Sequence, residues 1–348
     1  MTATLSFLVP VYDVQDYLDE CLTSLVKAAS LHDEIILVDD GSHDQSGQMC
    51  DAWAARFPDL IRVIHQTNAG LAATRNCAFA HSKNDYILFL DSDDVICPEA
   101  VSQVRRQLQS SLPDIITMDA ILWREGANDK IISHSLPAHQ SVSGETALEY
   151  AFKDDFLSSC CRVYRRTLLA DSGPEIFPLG RYYEDNGAVP VLISKAASVI
   201  YIPTPLFRYR IRAGSITQRQ SLERCLHQAT SLANPLNSIP ALRHNEMLCR
   251  LANLAALSHL VIAMRHAALI PKVSRQDFKL ILNEGLSTLT LRETSLMNAV
   301  RHAGPEHARL RKHAMGMLGR PGLYLWTRWL MARWKQRRQM PIDAAISE

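Results

Sequence analysis

Three acidic residues stand directly after an apolar stretch, in the segment ILFLDSDDVICP at residues 87–98. Asp91 and Asp93 are separated by one residue, so in an extended chain their side chains project to the same side and leave Ser92 opposite. Clustered carboxylates repel one another unless a cation lies between them. Hard oxygen ligands favour Mg²⁺ or Mn²⁺, and a site with few protein ligands leaves positions for substrate phosphates. The segment therefore predicts a divalent metal on Asp93 and Asp91 that holds a diphosphate.

The same acidic segment has two other interpretations. An Asp-Ser-Asp-Asp run at the end of a strand is also typical of a solvated turn or a helix cap. A calcium loop of the EF-hand kind is excluded, because Ile96 stands where that loop needs a glycine at its sixth position. On this segment alone, both the metal site and the solvated turn stay open.

Apolar patterns indicate which elements position this segment. Residues 5–11 and 35–38 are almost wholly apolar, which is typical of strands buried on both faces of a parallel sheet. Between them, apolar residues recur at helical spacing over 18–26, with Asp13 as a candidate N-cap. Strand and helix go on alternating, with a helix around 49–57, a strand at 62–65, a helix at 71–81 and a strand at 86–90. This order predicts an α/β fold with a mostly parallel sheet, in which ligands bind beyond the carboxyl ends of the strands.

The later part of the chain predicts a second region of different character. A helix to about residue 110, a strand at 115–122, a helix at 144–152, a strand-like segment at 160–164 and a helix with Glu184 and Asp185 come first. From about residue 220 onward the pattern is helix after helix. We therefore predict a first domain of strands and helices over residues 1–218 and a helical region over residues 219–348.

Composition and charge narrow the class of protein. With 348 residues and 47% hydrophobic content, the chain can bury a large core. Residues 1–100 hold 16 acidic residues against 5 Lys or Arg, whereas residues 301–340 hold one acidic residue against 10 basic ones, so the two ends suit different partners. No nucleic-acid partner is expected. The eight cysteines include no C-x-x-C pair, and no signal-peptide pattern is present at the start, so we expect a cytoplasmic protein with reduced thiols. The longest apolar run, residues 254–264, falls short of the ~20 residues that span a bilayer.

The segment LYLWTRWLMARWKQRR, at residues 323–338, mixes leucines and tryptophans with arginines and lysine. Such a helix suits the surface of an anionic membrane. A terminal helix that docks its tryptophans on the protein or on a second subunit is the alternative. Arg328-Trp329 and Arg333-Trp334 each follow a leucine where the Gln-x-x-Arg-Trp signature of processive synthases needs glutamine, so a processive synthase is not expected.

Several motifs together resemble one enzyme family. In chain order they read SFLVPVYDVQDYLDECLTSL, EIILVDDGSHDQS, HQTNAGLAATRN, FLDSDD and YYEDNG. This succession resembles the inverting glycosyltransferases of family 2, over roughly residues 4–217. The resemblance implies the GT-A fold, which is Rossmann-like, and a site for a nucleotide-diphosphate-sugar.

The resemblance implies a set of donor-binding residues. Pro10, Tyr12 and Asp40 would hold the nucleobase, although Tyr12 is equally compatible with a rim or core aromatic. A helix that opens after Asn68 and Gly70 would attract phosphate through its free N–H groups. The other implied donor contacts are Arg75 near the sugar or diphosphate, Asp91 and Ser92 after the strand, and Arg212 and Ser215 in the closing segment. Without the family, Arg75 reads as a surface arginine on an alanine-rich helix.

The Glu-Asp pair supplies the other half of the implied chemistry. Inversion needs a carboxylate that deprotonates the acceptor hydroxyl as it attacks from the face opposite the departing diphosphate. The family places this base at Asp185, with Glu184 positioning the acceptor or its neighbour. Both residues also suit an acidic first turn of a helix, which the helix dipole stabilises.

These observations predict a metal-dependent hexosyltransferase. It would use Mn²⁺ or Mg²⁺ to move a sugar from a nucleotide donor, with UDP expected, to a hydroxyl of a glycan or a lipid-linked acceptor in surface polysaccharide synthesis. A dinucleotide oxidoreductase is excluded because residues 10–13 lack G-x-G-x-x-G. A non-catalytic nucleotide-sugar-binding or scaffolding protein is the alternative, and it would release no UDP.

Overall fold

The structure is a computed structural model. It describes residues 3–124, 126, 128–212, 220–271, 273–291, 293–301, 308–319, 321, 324, 325, 327 and 328. Backbone contacts divide the chain into two compact units, Met1–Arg212 and Ala213–Glu348. The sequence places this boundary at residue 218, and residues 213–219 lie outside the described part.

The first unit is built on one mixed sheet, which has ten strands within the described residues. The strands are β1 Leu5–Val11, β2 Glu34–Asp39, β3 Ile61–His65, β4 Tyr86–Phe89, β5 Val95–Ile96, β6 Ile115–Trp123, β7 Lys130–Ile132, β8 Ser141–Val142, β9 Arg162–Arg165 and β10 Val199–Arg210. Their spatial order is β3-β2-β1-β4-β9-β6-β10-β5, with β7 on β6 and β8 on β10.

Helices connect these strands at nearly the places that the sequence predicts. They are α1 Leu18–Ala28, α2 Ser46–Arg56, α3 Leu71–His81, α4 Pro98–Ser110, α5 Gly144–Asp154, α6 Arg166–Ala170 and α7 Glu184–Lys195. The α/β class is confirmed, and the apolar runs of β1, β2 and β4 are buried along their whole length.

The parallel part of the sheet brings the predicted site residues to one edge. β1 pairs in parallel with both β2 and β4, so the carboxyl ends of these three strands are neighbours. The residues after those ends include Tyr12, Asp40 and Asp91. Parallel pairing does not continue across the sheet, since β9 lies antiparallel between β4 and β6. The sheet is therefore mixed, as a short strand from a later segment inserts between two earlier ones.

Three local expectations from the sequence are wrong. Asp13 does not cap α1, because the N-cap is Tyr17 and Asp13 instead accepts a hydrogen bond at Oδ1 from His43 N, 2.7 Å away. β4 ends at Phe89, and residues 91–94 form a turn in which Asp94 N donates to Asp91 O. The strand expected from residue 160 begins at Arg162, after a 3₁₀ turn at Ser159–Cys161.

The second unit is helical. Its helices within the described residues are α8 Leu222–Ala229, α9 Ala233–Ser238, α10 Glu246–Ala267, α11 Arg275–Ser287, α12 Glu293–Arg301 and α13 Ala308–Gly319. The 22-residue α10 is long and apolar enough to cross a membrane by length and composition, yet 61% of its most apolar window is buried within the structure. Leu257, Leu260 and Met264 of α10 pack with Phe278 and Ile281 of α11 in one apolar core.

Candidate active site

One buried arginine joins the carboxylates of two distant segments. Arg75 of α3 is only 2% exposed. Its Nη2 donates to Asp91 Oδ1 at 2.7 Å, and its Nη1 donates to Glu184 Oε1 at 2.6 Å and to Asp185 Oδ1 at 2.9 Å. The turn after β4 and the start of α7 are therefore held on a single guanidinium, and the surface-arginine interpretation is wrong.

The charges in this network do not balance locally. Burial alone would lower the pKa of Arg75, but the charges of Asp185, Asp91 and Glu184 raise it well above its ordinary value. Burial raises the pKa of Glu184 to about 7, with Arg75 opposing that shift and Asp185 adding to it. The side chain of Asp185 is 21% exposed and that of Glu184 only 8%. Asp185 is therefore the carboxylate of the pair that a substrate hydroxyl can reach more easily.

Local packing fixes both ends of the network. Asn76, which follows Arg75 on α3, donates to Phe177 O at 2.8 Å and accepts from Phe177 N at 3.0 Å. The ring of Phe177 then lies under the guanidinium, with the Arg75 Cζ 5.4 Å from the ring centroid. At the other end, Tyr183 precedes α7 with φ at 62°, a left-handed conformation that is uncommon for a residue other than glycine.

A second arginine group covers the acidic turn from the other side. Arg212 Nε donates to Asp93 Oδ2 at 2.8 Å. Arg210 Nε donates to Asp93 O at 2.9 Å, and Arg210 N donates to Asp94 Oδ1 at 2.8 Å. Burial and the nearby charge of Asp91 raise the pKa of Asp93, and burial followed by the charge of Asp93 raises that of Asp94 well above its ordinary value. The three acidic residues of the turn therefore carry more negative charge than this pocket easily accommodates.

Two arginines of β10 and Arg212, which lies two residues beyond the strand, stack alternately with two aromatic rings, an arrangement we call the arginine ladder. Trp123 of β6 lies opposite Arg210 in the parallel register. Arg208 and Arg210 lie over the Trp123 ring, with Cζ 4.9 and 4.0 Å from its centroid. Arg210 and Arg212 lie over the Tyr17 ring at 5.0 and 4.7 Å. The ladder is Arg208, Trp123, Arg210, Tyr17 and Arg212, and it ends on the carboxylate of Asp93.

The oxygen ligands that the acidic turn offers fit a hard divalent cation. Asp91 and Asp93 both offer carboxylate oxygens, and their side chains are 30% and 19% exposed. Burial and the charge of Asp91 raise the pKa of Asp93, so the two carboxylates lie close enough for their charges to interact. Within the described residues, no group of three or more His, Cys, Asp or Glu side chains forms a complete protein cage. Two carboxylates with free positions for water and phosphate oxygens are the arrangement that Mg²⁺ commonly uses.

Asp40 is buried and organises the loop before α3. Its Oδ1 accepts from Gln66 Nε2 at 2.7 Å and from Ala69 N at 2.8 Å, and its Oδ2 accepts from Gly70 N at 2.9 Å. The adjoining Gly41 has φ at 72°, and a side chain there would press on Asn68 N and Gln66 O at 3.1 and 3.2 Å. Asp40 thus shapes the donor side of the edge through bonds to its own chain.

The remaining predicted donor residues are placed as follows. Pro10 is buried within β1 and Ser92 is buried in the acidic turn. Tyr12 is 41% exposed at the end of β1, so its ring is accessible and the core interpretation does not hold. Asn68 and Gly70 are exposed just before α3, whereas Ser215 lies outside the described residues.

Sequence reasoning missed three contributors to the site. Tyr17 and Trp123 complete the arginine ladder, and the backbone N–H of Ser159 donates to Asp185 Oδ2 at 3.1 Å. The alternation of arginines along β10 was a usable signal for the ladder, because a strand places every second side chain on one face. No sequence signal reveals the bond from Ser159, since a backbone group 26 residues away carries no residue type.

Comparisons with known proteins match the part of the chain that forms this edge of the sheet. Residues 6–173 match the family model described as Glycosyl transferase family 2. Glycosyltransferase GlyG of Streptococcus pneumoniae serotype 4 is 28% identical over 231 residues, which cover 63% of this chain and 75% of GlyG. Glycosyltransferase GlyA of the same organism is 30% identical over 223 residues, which cover 62% of this chain but only 31% of GlyA.

Similar folds occur among solved structures. The crystal structure of S. aureus TarS residues 1–349 has a TM-score of 0.70 and 18% identity, and the alignment covers 97% of this chain and 93% of that one. A crystal structure of the same protein in complex with UDP-GlcNAc has a TM-score of 0.67 and 17% identity, with the same coverage. At this identity the likeness shows the fold, which is GT-A-like with a helical C-terminal part.

Proposed function

Because this chain belongs to glycosyltransferase family 2 through its residues 6–173, we propose that it moves a sugar from a UDP-sugar to a hydroxyl of a glycan or lipid-linked acceptor. One observation carries the proposal. The guanidinium of Arg75 bonds Asp91 on the donor side and both Glu184 and Asp185 on the acceptor side. A donor diphosphate at Asp91 and a hydroxyl at Asp185 would therefore meet within the span of one side chain.

The donor side is supported by the edge that β1, β2 and β4 share. Tyr12 offers an exposed ring for the base, and the start of α3 offers backbone N–H groups to a diphosphate. Arg212 holds a full positive charge beside Asp93, where charge grows on the departing UDP. UDP is proposed because GT-A neighbours of the same fold are named in complex with UDP and UDP-GlcNAc.

The acceptor side depends on Asp185. In a single displacement with inversion, its carboxylate takes the proton of the acceptor hydroxyl while that oxygen attacks the anomeric carbon, and the bond to UDP breaks. Arg75 holds one oxygen of Asp185 and Ser159 N the other, so the carboxylate has a fixed orientation. Glu184, with a pKa of about 7, can donate or accept a hydrogen bond at neutral pH and orient the acceptor.

Asp91 and Asp93 would hold Mn²⁺ or Mg²⁺ together with the diphosphate. When bound, the cation would neutralise negative charge on the leaving phosphates. Arg212 and Arg75 each already bond one carboxylate of this pair, so the arginines keep the two side chains in place for the ligand.

A panel of UDP-sugars that includes UDP-GlcNAc tests the proposal, with UDP release measured in Mn²⁺, in Mg²⁺ and in EDTA. The Asp185→Asn variant should lose about 10²- to 10⁴-fold in rate because the base is removed, and Asp93→Ala should lose a similar factor. UDP binding by calorimetry should be retained in Asp185→Asn, since that side chain lies on the acceptor side.

Asp59→Asn is the matched control, because Asp59 is an exposed carboxylate outside the site. It should keep the parental rate. Full activity in Asp185→Asn would refute the role of the base, and UDP binding with no release from any donor would favour a non-catalytic nucleotide-sugar-binding protein.

We also propose peripheral contact with the cytoplasmic face of a membrane, on the basis of the basic and aromatic segment 323–338 in the sequence. Most of this segment lies outside the described residues. Co-sedimentation with anionic vesicles should weaken when Arg333, Lys335 and Arg337 are replaced by glutamate. Unchanged sedimentation would contradict membrane contact and would favour a segment that docks on the protein or on a second subunit.

A further inference from the structure

A second buried arginine lies behind the proposed base. Arg162 is the first residue of β9 and is 1% exposed. Within the described residues it forms no ion pair with a carboxylate, and its two terminal nitrogens bond to backbone instead. Nη1 donates to Ser158 O at 2.6 Å, and Nη2 donates to Phe156 O at 3.1 Å. The guanidinium of Arg162 thus donates to two backbone carbonyls of the segment that leads into the 3₁₀ turn.

This segment carries the donor that holds the base. Ser158 caps the 3₁₀ turn, with its Oγ accepting from Cys160 N at 3.3 Å. The next residue, Ser159, is fully buried, and its N–H donates to Asp185 Oδ2 at 3.1 Å. The bonds therefore run from the Arg162 guanidinium to the Ser158 carbonyl, through the turn, and on to the carboxylate of Asp185.

We propose that Arg162 is a positioning residue for the reaction, which acts on Asp185 through the 3₁₀ turn. This inference rests on the proposed function, in which Asp185 is the base. Arg75 fixes Oδ1 of that carboxylate and Ser159 N fixes Oδ2, so the remaining lone pairs point in set directions. An error of about 1 Å in the position of a catalytic group is enough to cost on the order of 10²-fold in rate.

Arg162→Lys tests the proposal, because an ammonium keeps the charge but cannot hold two carbonyls in a fork. Arg165→Lys is the matched control, since Arg165 ends the same strand and bonds Tyr86 and Asp114 instead. We expect Arg162→Lys to lower kcat for UDP release by at least about 10-fold, with the Kd for UDP within twofold of the parent. Arg165→Lys should leave both quantities within twofold.

Coupling to the base separates positioning from a general structural role. In an Asp185→Asn background, Arg162→Lys should lower the residual rate by less than twofold, because the group it positions is gone. Hydrogen exchange of peptides that cover residues 156–161 should rise in Arg162→Lys and not in Arg165→Lys, whatever the activity. An undiminished effect of Arg162→Lys in the Asp185→Asn background would overturn the inference, as would unchanged exchange in that peptide.

Ser159 offers a second route that leaves the arginine in place. Ser158 has extended backbone, with φ −67° and ψ 132°, and Ser159 is the first residue of the turn, a position that suits proline. Within the described residues, the Ser159 hydroxyl has no hydrogen-bond partner. Ser159→Ala loses that hydroxyl and keeps the N–H on Asp185, whereas Ser159→Pro loses both. The proline variant should lose at least about 10-fold in kcat and the alanine variant less than twofold. Equal rates would refute the role of the turn, whereas full activity of Asp185→Asn would refute the proposed function itself.

Discussion

Within the described residues, the first unit buries carboxylates as well as arginines, whereas the helical unit buries one arginine, Arg224, and no carboxylate. In residues 3–212, apolar strands support buried charges such as Arg75, Asp94 and Arg162. In the described part of the helical unit, α10 and α11 meet through an apolar core, and a buried polar side chain such as Asn253 serves the backbone, since its Oδ1 accepts from Thr290 N and Leu291 N. A buried charge requires partners, so the first unit combines stability with a defined orientation of reactive groups. A buried amide in the second unit only closes a connection between helices.

The largest effect should come from removing the positive charge of Arg75, which joins the carboxylates. Arg75→Gln leaves Asp91, Glu184 and Asp185 close together with no positive charge among them, and we expect the free energy of unfolding of the first unit to fall by about 3–5 kcal/mol. Hydrogen exchange of peptides from residues 3–212 measures this loss, and peptides from residues 220–291 provide the internal reference.

Glu184→Gln is the matched variant for that experiment. Because burial raises the pKa of Glu184 to about 7, the neutral amide resembles a form that the acid already populates at neutral pH. We expect a change of under about 1 kcal/mol. A loss as large as that of Arg75→Gln would show that the pairing of Glu184, rather than the excess of negative charge, dominates the network.

The sequence predicted the elements of this network better than its contacts. The bounds of α3 are as predicted, and the order of β1, β2, β3 and β4 follows from apolar runs that need only local pattern. The burial of Arg75 was not predictable, because its partners Glu184 and Asp185 lie about 110 residues away and the flanking alanines suggest a surface helix.

The same limit applies to the acidic turn and to β9. Strand alternation predicted that Asp91 and Asp93 face the same way, but the chain leaves the strand after Phe89, so different arginines hold the two carboxylates. The insertion of β9 between β4 and β6 depends on pairing across the sheet, which no periodicity within residues 160–164 records. Local patterns therefore gave the elements, and long-range pairing decided what their polar ends contact.

Substituting one glycine in each unit by alanine tests how each unit accommodates an added methyl group. A Cβ at Gly144 of α5 would meet the backbone oxygens of Ile193 and Ala196, at the end of α7. Backbone cannot rotate away, so we expect Gly144→Ala to cost about 3 kcal/mol and to lower activity, because α7 begins with Glu184 and Asp185. Urea unfolding and UDP release measure the two effects.

Gly285→Ala is the counterpart in the helical unit. There the added Cβ would meet side-chain atoms of Leu260, two methyl carbons and Cγ, rather than backbone. Alanine also gains up to about 1 kcal/mol of helix propensity over glycine, so the net change should be within about 1 kcal/mol. If Gly285→Ala destabilised the protein as much as Gly144→Ala, the helical core would be as rigid as the packing behind the site.

One buried histidine in each unit should also make the stability of that unit depend on pH, with an effect smaller than that of Gly144→Ala. Burial, together with the charge of Arg162, lowers the pKa of His134 in the first unit to about 3, and Asp154 at 3.9 Å is too far from Nδ1 to offset it. In the second unit, burial and the charges of Arg265 and Arg224 lower the pKa of His266 to about 4. Both pKa values lie below the ordinary 6.5, so between these values and pH 6.5 the unfolded chain binds a proton that the folded chain does not bind.

The stability that depends on these neutral histidines is complete above pH 6.5 and is lost as the pH falls towards 3 or 4. At pH 5 each histidine should lower the free energy of unfolding by about 2 kcal/mol relative to pH 7.5. His134→Gln and His266→Gln should each remove that part of the pH dependence in urea unfolding at the two pH values, because an amide does not titrate. Other acids titrate alike in parent and variant, so the difference isolates the histidine. A variant with the parental pH dependence would mean that its histidine is protonated in the folded protein without loss of stability. Burial in that unit would then oppose a charged histidine less than the surrounding residues suggest.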